Sequence, residues 1–298
     1  VQVLAPITVT DAMLLSSTLA ETEHAAWAAG TTYAKGDRAI KAHKVWESAV
    51  GSNTNHDPVA DAAHAWWLEV GPTNRWAMFD EVVSTASRDS GDIEVVIAPG
   101  AYVDAVALVA GIGGTARVQM HDGAALVYDQ TQSLDSTPIV DWDDYFFTDQ
   151  QLAGELLFTD LPRYLSAALT VTLTAAAGEA ALGALVLGRL HDLGGTLTGA
   201  SAGITDYSRK EADAFGNAIL LRRAYAKRSQ QRLMLDARSL RRVHAVLSEL
   251  RATPAVWIGA PDTALFGPLV VYGWFRSFSI DIRGPVYSYC SLEIEGLT

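Results

Sequence analysis

A single cysteine, Cys290, leaves this chain of 298 residues without an intrachain disulfide, so its fold must rest on packing and, where copies meet, on assembly. Charged residues are scarce at 19%, while apolar ones reach 49%. No apolar run is as long as the roughly 18 residues a membrane-spanning helix needs, which excludes such a helix and implies a soluble globular protein. The opening VQVLAPITVT alternates instead of forming a basic head and an apolar block, so no signal peptide is expected. Internal repeats and low-complexity tracts are absent. So is a Gly-x-Ser-x-Gly elbow, and Cys290 lies on an apparent inward strand face, where a thiol is inert packing. Basic residues are few at the front: positions 1–162 hold 7 against 23 acidic ones, a net of −16, whereas 163–298 hold 15 against 11, a net of +4. The overall charge of −12 argues against general nucleic-acid binding, and its uneven spread separates an acidic front from a back that meets an acidic neighbour.

The length suits two or three cores. Residues 1–23 read as an N-terminal strand or arm. Residues 24–75 hold Trp27, Trp46, Trp66 and Trp67 with few aliphatics, and turn signals stand at Gly30, Gly36-Asp37, Gly51-Ser52-Asn53 and Asp57-Pro58. Short strands at 38–40 and 44–49 fit between them, giving a small loop-rich β module. Across 76–190, short apolar or alternating runs recur at intervals of about ten residues, the rhythm of an antiparallel sandwich, here of jelly-roll type. The polar stretch HDLGGTLTGASAG at 191–203 marks a boundary. Residues 191–298 then read as an α+β domain. Strands are expected at 218–225 and 229–235. Leu240, Val243, Leu247 and Leu250 have helical spacing, with Asp236 as N-cap and Pro254 as stop. A long strand follows with Val270, Tyr272, Trp274, Phe278, Ile280 and Ile282 on one face, and a last strand turns Cys290, Leu292 and Ile294 inward. The fold class expected is therefore mainly β and multidomain.

Candidate chemistry is sparse. GIGGTAR at 111–117 mimics a phosphate loop, but the residues after it alternate like a strand, so a hairpin turn is expected. His24, His43, His56, His64 and His121 lack the tight spacing of metal ligands, and no metal or cofactor is expected. In DWDDYFF at 141–147, Trp142, Tyr145 and Phe147 alternate with acids as on a half-buried strand; Asp141, Asp143, Asp144 and Glu155 would be the carboxylates of a glycan hydrolase if a catalytic pair existed, and none can be located. The chain is accordingly not read as an enzyme. Eight cations, Arg222, Arg223, Lys227, Arg228, Arg232, Arg238, Arg241 and Arg242, crowd into 21 positions with only Asp236 among them. They repel unless something acidic is near. A solvated face is one explanation and nucleic acid another, though no stacking aromatics interleave and no recognition motif is present. A neighbouring subunit's acidic rim is the preferred partner, with Arg222, Arg223, Arg228, Arg238, Arg241 and Arg242 as interface residues.

Aromatics without aliphatic neighbours suit sugar recognition, since an indole covers the apolar face of a pyranose. A small module without a disulfide also needs aromatics for its own core. The order Trp27, Gly30, Thr31, Tyr33, Gly36-Asp37, Trp46, Asn53, Pro58, Trp67 resembles the chitin- and cellulose-binding modules of carbohydrate-binding families 5 and 12. That resemblance implies an exposed platform at Trp66 and Trp67 and a carbohydrate-binding set completed by Trp27, Tyr33 and Trp46. Arg38-Ala39 follows the Gly-Asp where those families show a β-branched residue. The stretches GNAILLRRAYAKRSQQRLML, LRATPAVWIGA and VVYGWFRSFSIDIRGPVYSYCSLEIEGL resemble tail proteins of long-tailed, siphovirus-type bacteriophages. The likeness implies a distal tail or baseplate protein in the virion, made in the host's cytoplasm. Its implied partners are the tail tube, the baseplate hub and two or five further copies of itself in a ring, with a host polysaccharide as ligand. A free-standing lectin or adhesin and a secreted glycan hydrolase are the alternatives.

Overall fold

The computed structural model describes residues 1–137, 141–147, 154–176, 178–212, 217–260, 267–282, 284 and 286–297, with the backbone alone for 144, 145 and 147. Strands make up 53% of the chain, so the protein is mainly β. Its largest element is a curled, half-barrel sheet of eleven strands. In spatial order these run Glu155–Phe158, Ala105–Ile112, Ala180–Asp192, Gln2–Pro6, Ala255–Ile258, Val270–Asp281, Tyr287–Gly296, Tyr225–Asp236 and Gly195–Thr196. Ser201–Asp206 also pairs with Tyr225–Asp236, and Ser87–Asp89 with Ala180–Asp192. A second sheet of five strands has the order Ala125–Ser133, Thr115–Asp122, Ala168–Thr174, Ile93–Ile97 and Leu14–Ser17.

The burial of each strand follows from where these sheets meet. Ala105–Ile112 is apolar at nearly every position because both faces are covered. Val106 and Leu108 join a core with Val118, Met120, Val171 and Ile97 of the five-stranded sheet. Ala105, Ala107 and Val109 instead join Leu4, Val186, Val256 and Tyr272 in a separate cluster. A third core lies under helix α2 (Leu240–Glu249), where Val243 and Leu247 cover Val3, Trp257, Leu233, Cys290 and Ile294. Burial pushes the Cys290 thiol up to about 11, consistent with a packing role.

Strand Gln2–Pro6 joins these cores. It pairs antiparallel with Ala180–Asp192 on one side, Leu4 opposite Leu190, and with Ala255–Ile258 on the other, Leu4 opposite Val256. Its period of two sends Val3 to the helix side and Leu4 to the opposite side. At the far ends the sheet curls until Glu155 of one outer strand meets Lys227 of Tyr225–Asp236, with Nζ 2.7 Å from Oε2. Beside this ion pair lies a groove of about 730 Å³ lined by Gln132, Leu157, Ile204 and Tyr225.

Several local expectations are corrected. DWDDYFF is not a strand: Trp142–Phe147 forms helix α1, because Asp141 Oδ1 accepts the Asp143 N–H (2.9 Å) as an N-cap and acids suit a helix start. GIGGTAR is not a hairpin turn either. Ala105–Ile112 and Thr115–Asp122 belong to different sheets, and Gly113-Gly114 is the corner between them, where a Cβ on Gly113 would stand 2.8 Å from Thr174 O. The α2 N-cap position is Ser239, since Asp236 is still paired with Tyr287 in the sheet. Finally, Val270–Asp281 does not keep one parity. A register shift between Phe275 and Ser277 brings Val271, Phe275, Phe278 and Ile280 to the same core, while Trp274 and Ile282 are exposed.

Gly188 sets how closely the first strand can approach. A Cβ there would lie 1.9 Å from Ala5 O, so Gly188→Ala is expected to destabilise the protein by about 3 kcal/mol, read as a lower urea midpoint. An unchanged midpoint would show that this contact does not set the spacing.

Candidate functional site

The aromatic module builds a core of its own from three strands, Arg38–Lys41, Lys44–Ser48 and Trp67–Pro72, with a short pair, Thr32–Tyr33 and Asn53–Thr54. Tyr33, Ala39, Trp46 and Trp67 are buried together, with Trp27 and Trp66 packed around them. The polar tips of the three buried rings find partners. Trp67 Nε1 donates to His56 O (2.8 Å), Trp46 Nε1 to Lys41 O (3.1 Å), and Tyr33 Oη accepts the Ala28 N–H (2.8 Å). Trp67 meets Tyr33 edge-on at 4.9 Å.

Of the five expected sugar-binding aromatics, Tyr33, Trp46 and Trp67 are therefore core and cannot form a platform. The reason is the one the small size of the module suggested: with almost no aliphatic bulk, the indoles must fill the interior. The Trp66-Trp67 pair divides as neighbours on an extended backbone do, with Trp67 inward and Trp66 partly exposed.

Within the module Trp27 and Trp66 are the two indoles that reach the surface, and a polar chain connects them. Lys41 Nζ sits 3.8 Å over the Trp27 ring and 2.7 Å from Asp57 Oδ2. That hydrogen bond, opposed in part by desolvation, holds the Asp57 carboxyl below its ordinary pKa. The next residue along, His56, stacks on Trp66 at 3.5 Å with planes 9° apart. In the sequence Lys41 carries no signal, His56 is weighed only as a metal ligand, and Asp57 figures only in the Asp57-Pro58 turn.

Asp61 determines where the two neighbouring indoles go. Its carboxylate accepts the N–H groups of Ala65 (3.1 Å), Trp66 (2.7 Å) and Trp67 (2.9 Å). Desolvation raises the Asp61 pKa, but these three donors together outweigh it and the carboxyl ends below its ordinary value.

The module is tied to the body by His43. It sits with Ala42 in a two-residue hairpin turn with positive φ at both positions (52° and 64°), a conformation that ordinarily selects Asn-Gly. The turn aims the imidazole at Glu21 (3.0 Å) and Asp11 (3.4 Å) and lays it against Trp76 at 4.5 Å.

The basic stripe is divided by the fold. Lys227 pairs with Glu155, Arg228 with Glu293 (2.5 Å), and Arg242 Nη2 donates to Asp192 O (2.8 Å). Arg222, Arg223, Arg232, Arg238 and Arg241 are exposed. Asp141 and Asp143 flank the start of α1, Glu155 is held by Lys227, and the side chain of Asp144 lies outside the described residues. Among the described residues no group of three or more His, Cys, Asp or Glu side chains could hold a metal ion, and no helix is long and apolar enough to cross a membrane. No family model and no curated protein matches the chain.

Two substitutions separate core from surface. Trp67→Ala is expected to cost about 3–5 kcal/mol and unfold the module, whereas Trp66→Ala leaves it folded, read by near-ultraviolet circular dichroism. Equal losses would overturn the division. Because the Asp61 carboxyl is held below its unfolded value, its contribution is present above about pH 4 and lost as pH falls through the folded pKa. Asp61→Asn should abolish that acid transition in tryptophan fluorescence; a transition that survives would assign it to another carboxyl.

Proposed function

We propose that the chain is a structural component of a bacteriophage tail tip or baseplate that joins the distal tail to a displayed, glycan-binding module for host attachment. On this reading residues 24–75 are a carbohydrate-binding-like module carried behind the 1–23 arm. Residues 76–190 are a jelly-roll-type β-sandwich, and 191–298 an α+β assembly domain that joins a ring of three or six copies. The partners are the tail tube and baseplate hub, with host surface polysaccharide as ligand. The protein acts by binding and assembly, without a catalytic group or cofactor, and does not recognise nucleic acid or enter the membrane.

The observation that carries the reading is a module with its own aromatic core that still leaves Trp27 and Trp66 at the surface, linked by Lys41, Asp57 and His56. Apolar ring faces beside charged hydrogen-bonding groups are what a pyranose needs. The charge asymmetry of the chain supports the assembly half, since an acidic front and a basic back suit contact between copies.

Titration with host surface polysaccharide or chitin oligomers should change intrinsic fluorescence. Trp66→Ala or Trp27→Ala should weaken binding about 10-fold, the equivalent of one lost ring contact. An unchanged signal in the unaltered protein would remove the glycan. Mass spectrometry of purified virions should find the chain in tails; its absence from them would remove the tail-tip role.

A further inference from the structure

The strands that carry the basic residues end in a ribbon that the body of the protein does not cover. Ser201–Asp206 pairs with Tyr225–Asp236, and beyond the Tyr207 N–H bond to Ala224 O the chain continues as a separate two-stranded ribbon, Arg209–Ala212 against Ala218–Leu221. Every residue of this ribbon's strands is exposed, Leu220 at 76%. The register sets Arg209 opposite Leu221 and Lys210 opposite Leu220. Alternation therefore puts Leu220 on one face and Ile219 and Leu221 on the other, with cations beside each. Among the described residues both strands are exposed along their whole length; such a two-stranded ribbon is marginal in water, and an exposed Ile-Leu-Leu run invites a partner.

Charge decides which partner. Residues 209–223 carry Arg209, Lys210, Arg222 and Arg223 against Glu211 and Asp213. The segment 129–160 carries eight carboxylates and no lysine or arginine. Within it α1 presents Trp142 and Phe146, 77% and 66% exposed with rings 6.4 Å apart, between exposed Asp141 and Asp143. An apolar centre with an acidic rim matches an apolar ribbon with a basic rim. At the ribbon's root one such contact already exists within the chain, Glu155 with Lys227.

We propose that the ribbon strands Arg209–Ala212 and Ala218–Leu221 of one copy dock on the α1 face of a second copy. The ribbon is exposed on both faces in its own chain, so its own α1 does not cover it. Because ribbon and α1 are different patches, a head-to-tail repeat of the contact is available, and it closes into a ring where its rotation divides the full turn. The inference rests on the assembly half of the proposed function and names the surfaces that half would use. It also narrows the expected interface set to Arg222 and Arg223.

Light scattering on the purified full-length chain tests it. The unaltered protein should have the mass of several copies. Leu220→Asp, R222E/R223E and D143K, which spares the Asp141 cap, should each reduce that to one copy with unchanged circular dichroism. Mixing the R222E/R223E chain with the D143K chain should restore the complex, because each reversed patch then meets its complement. A single-copy mass for the unaltered protein, a complex that survives Leu220→Asp and R222E/R223E, or no recovery on mixing would each overturn the proposal. A chain that self-associates this way yet is absent from virions would sink the tail-tip reading alone. One found in tails whose incorporation ignores these substitutions would sink this inference alone.

Discussion

Insertion of strand Gln2–Pro6 between Ala180–Asp192 and Ala255–Ile258 is the constraint on which the rest of the molecule depends. Without it the strands that pack on the five-stranded sheet and those that carry α2 would share no strand pairing. With it they form one eleven-stranded sheet, and the strand's alternate side chains enter two different cores. Gly188 is required because the backbone of Ala5 occupies the space a side chain would take. The curl of that sheet then brings its outer strands close enough for Glu155 to reach Lys227.

The same geometry distributes the positive charge. Cations near the strand pairings are consumed internally: Lys227 by Glu155, Arg228 by Glu293, and Arg242 by the carbonyl of Asp192, where the long Ala180–Asp192 strand ends. Those on the ribbon beyond Tyr207 stand away from the body. A stripe that looks continuous in sequence is thus divided: Lys227, Arg228 and Arg242 fasten the fold, Arg222 and Arg223 stand at the root of an exposed arm, and Arg232, Arg238 and Arg241 are exposed on the body.

The aromatic module follows a different rule. A unit this small has no disulfide and little aliphatic bulk, so indoles serve as its interior and their N–H groups must find carbonyls inside it. The ring left outside is chosen by Asp61, whose hold on three consecutive N–H groups sets the backbone at the Trp66-Trp67 step. The strained turn at Ala42-His43 places the imidazole where Glu21, Asp11 and Trp76 converge, so the cost of its backbone conformation is offset by the contacts that dock the module.

The sequence by itself determined the β-rich class, the short strands of the aromatic module, helix α2 and the inward face of Cys290, Leu292 and Ile294, because all of these are periodicities of two or 3.6 punctuated by turn residues. It could not show that Trp142–Phe147 is a helix, since six residues are too few to separate the two periods and the deciding capping bond comes from Asp141. Nor could it show the shift at Phe275 to Ser277, which leaves composition unchanged and appears only against the partner strand. Which of two adjacent tryptophans is buried, which arginines are already paired, and how the first strand joins distant segments are all decided by contacts between residues far apart in the chain. Only the tertiary structure brings those residues together.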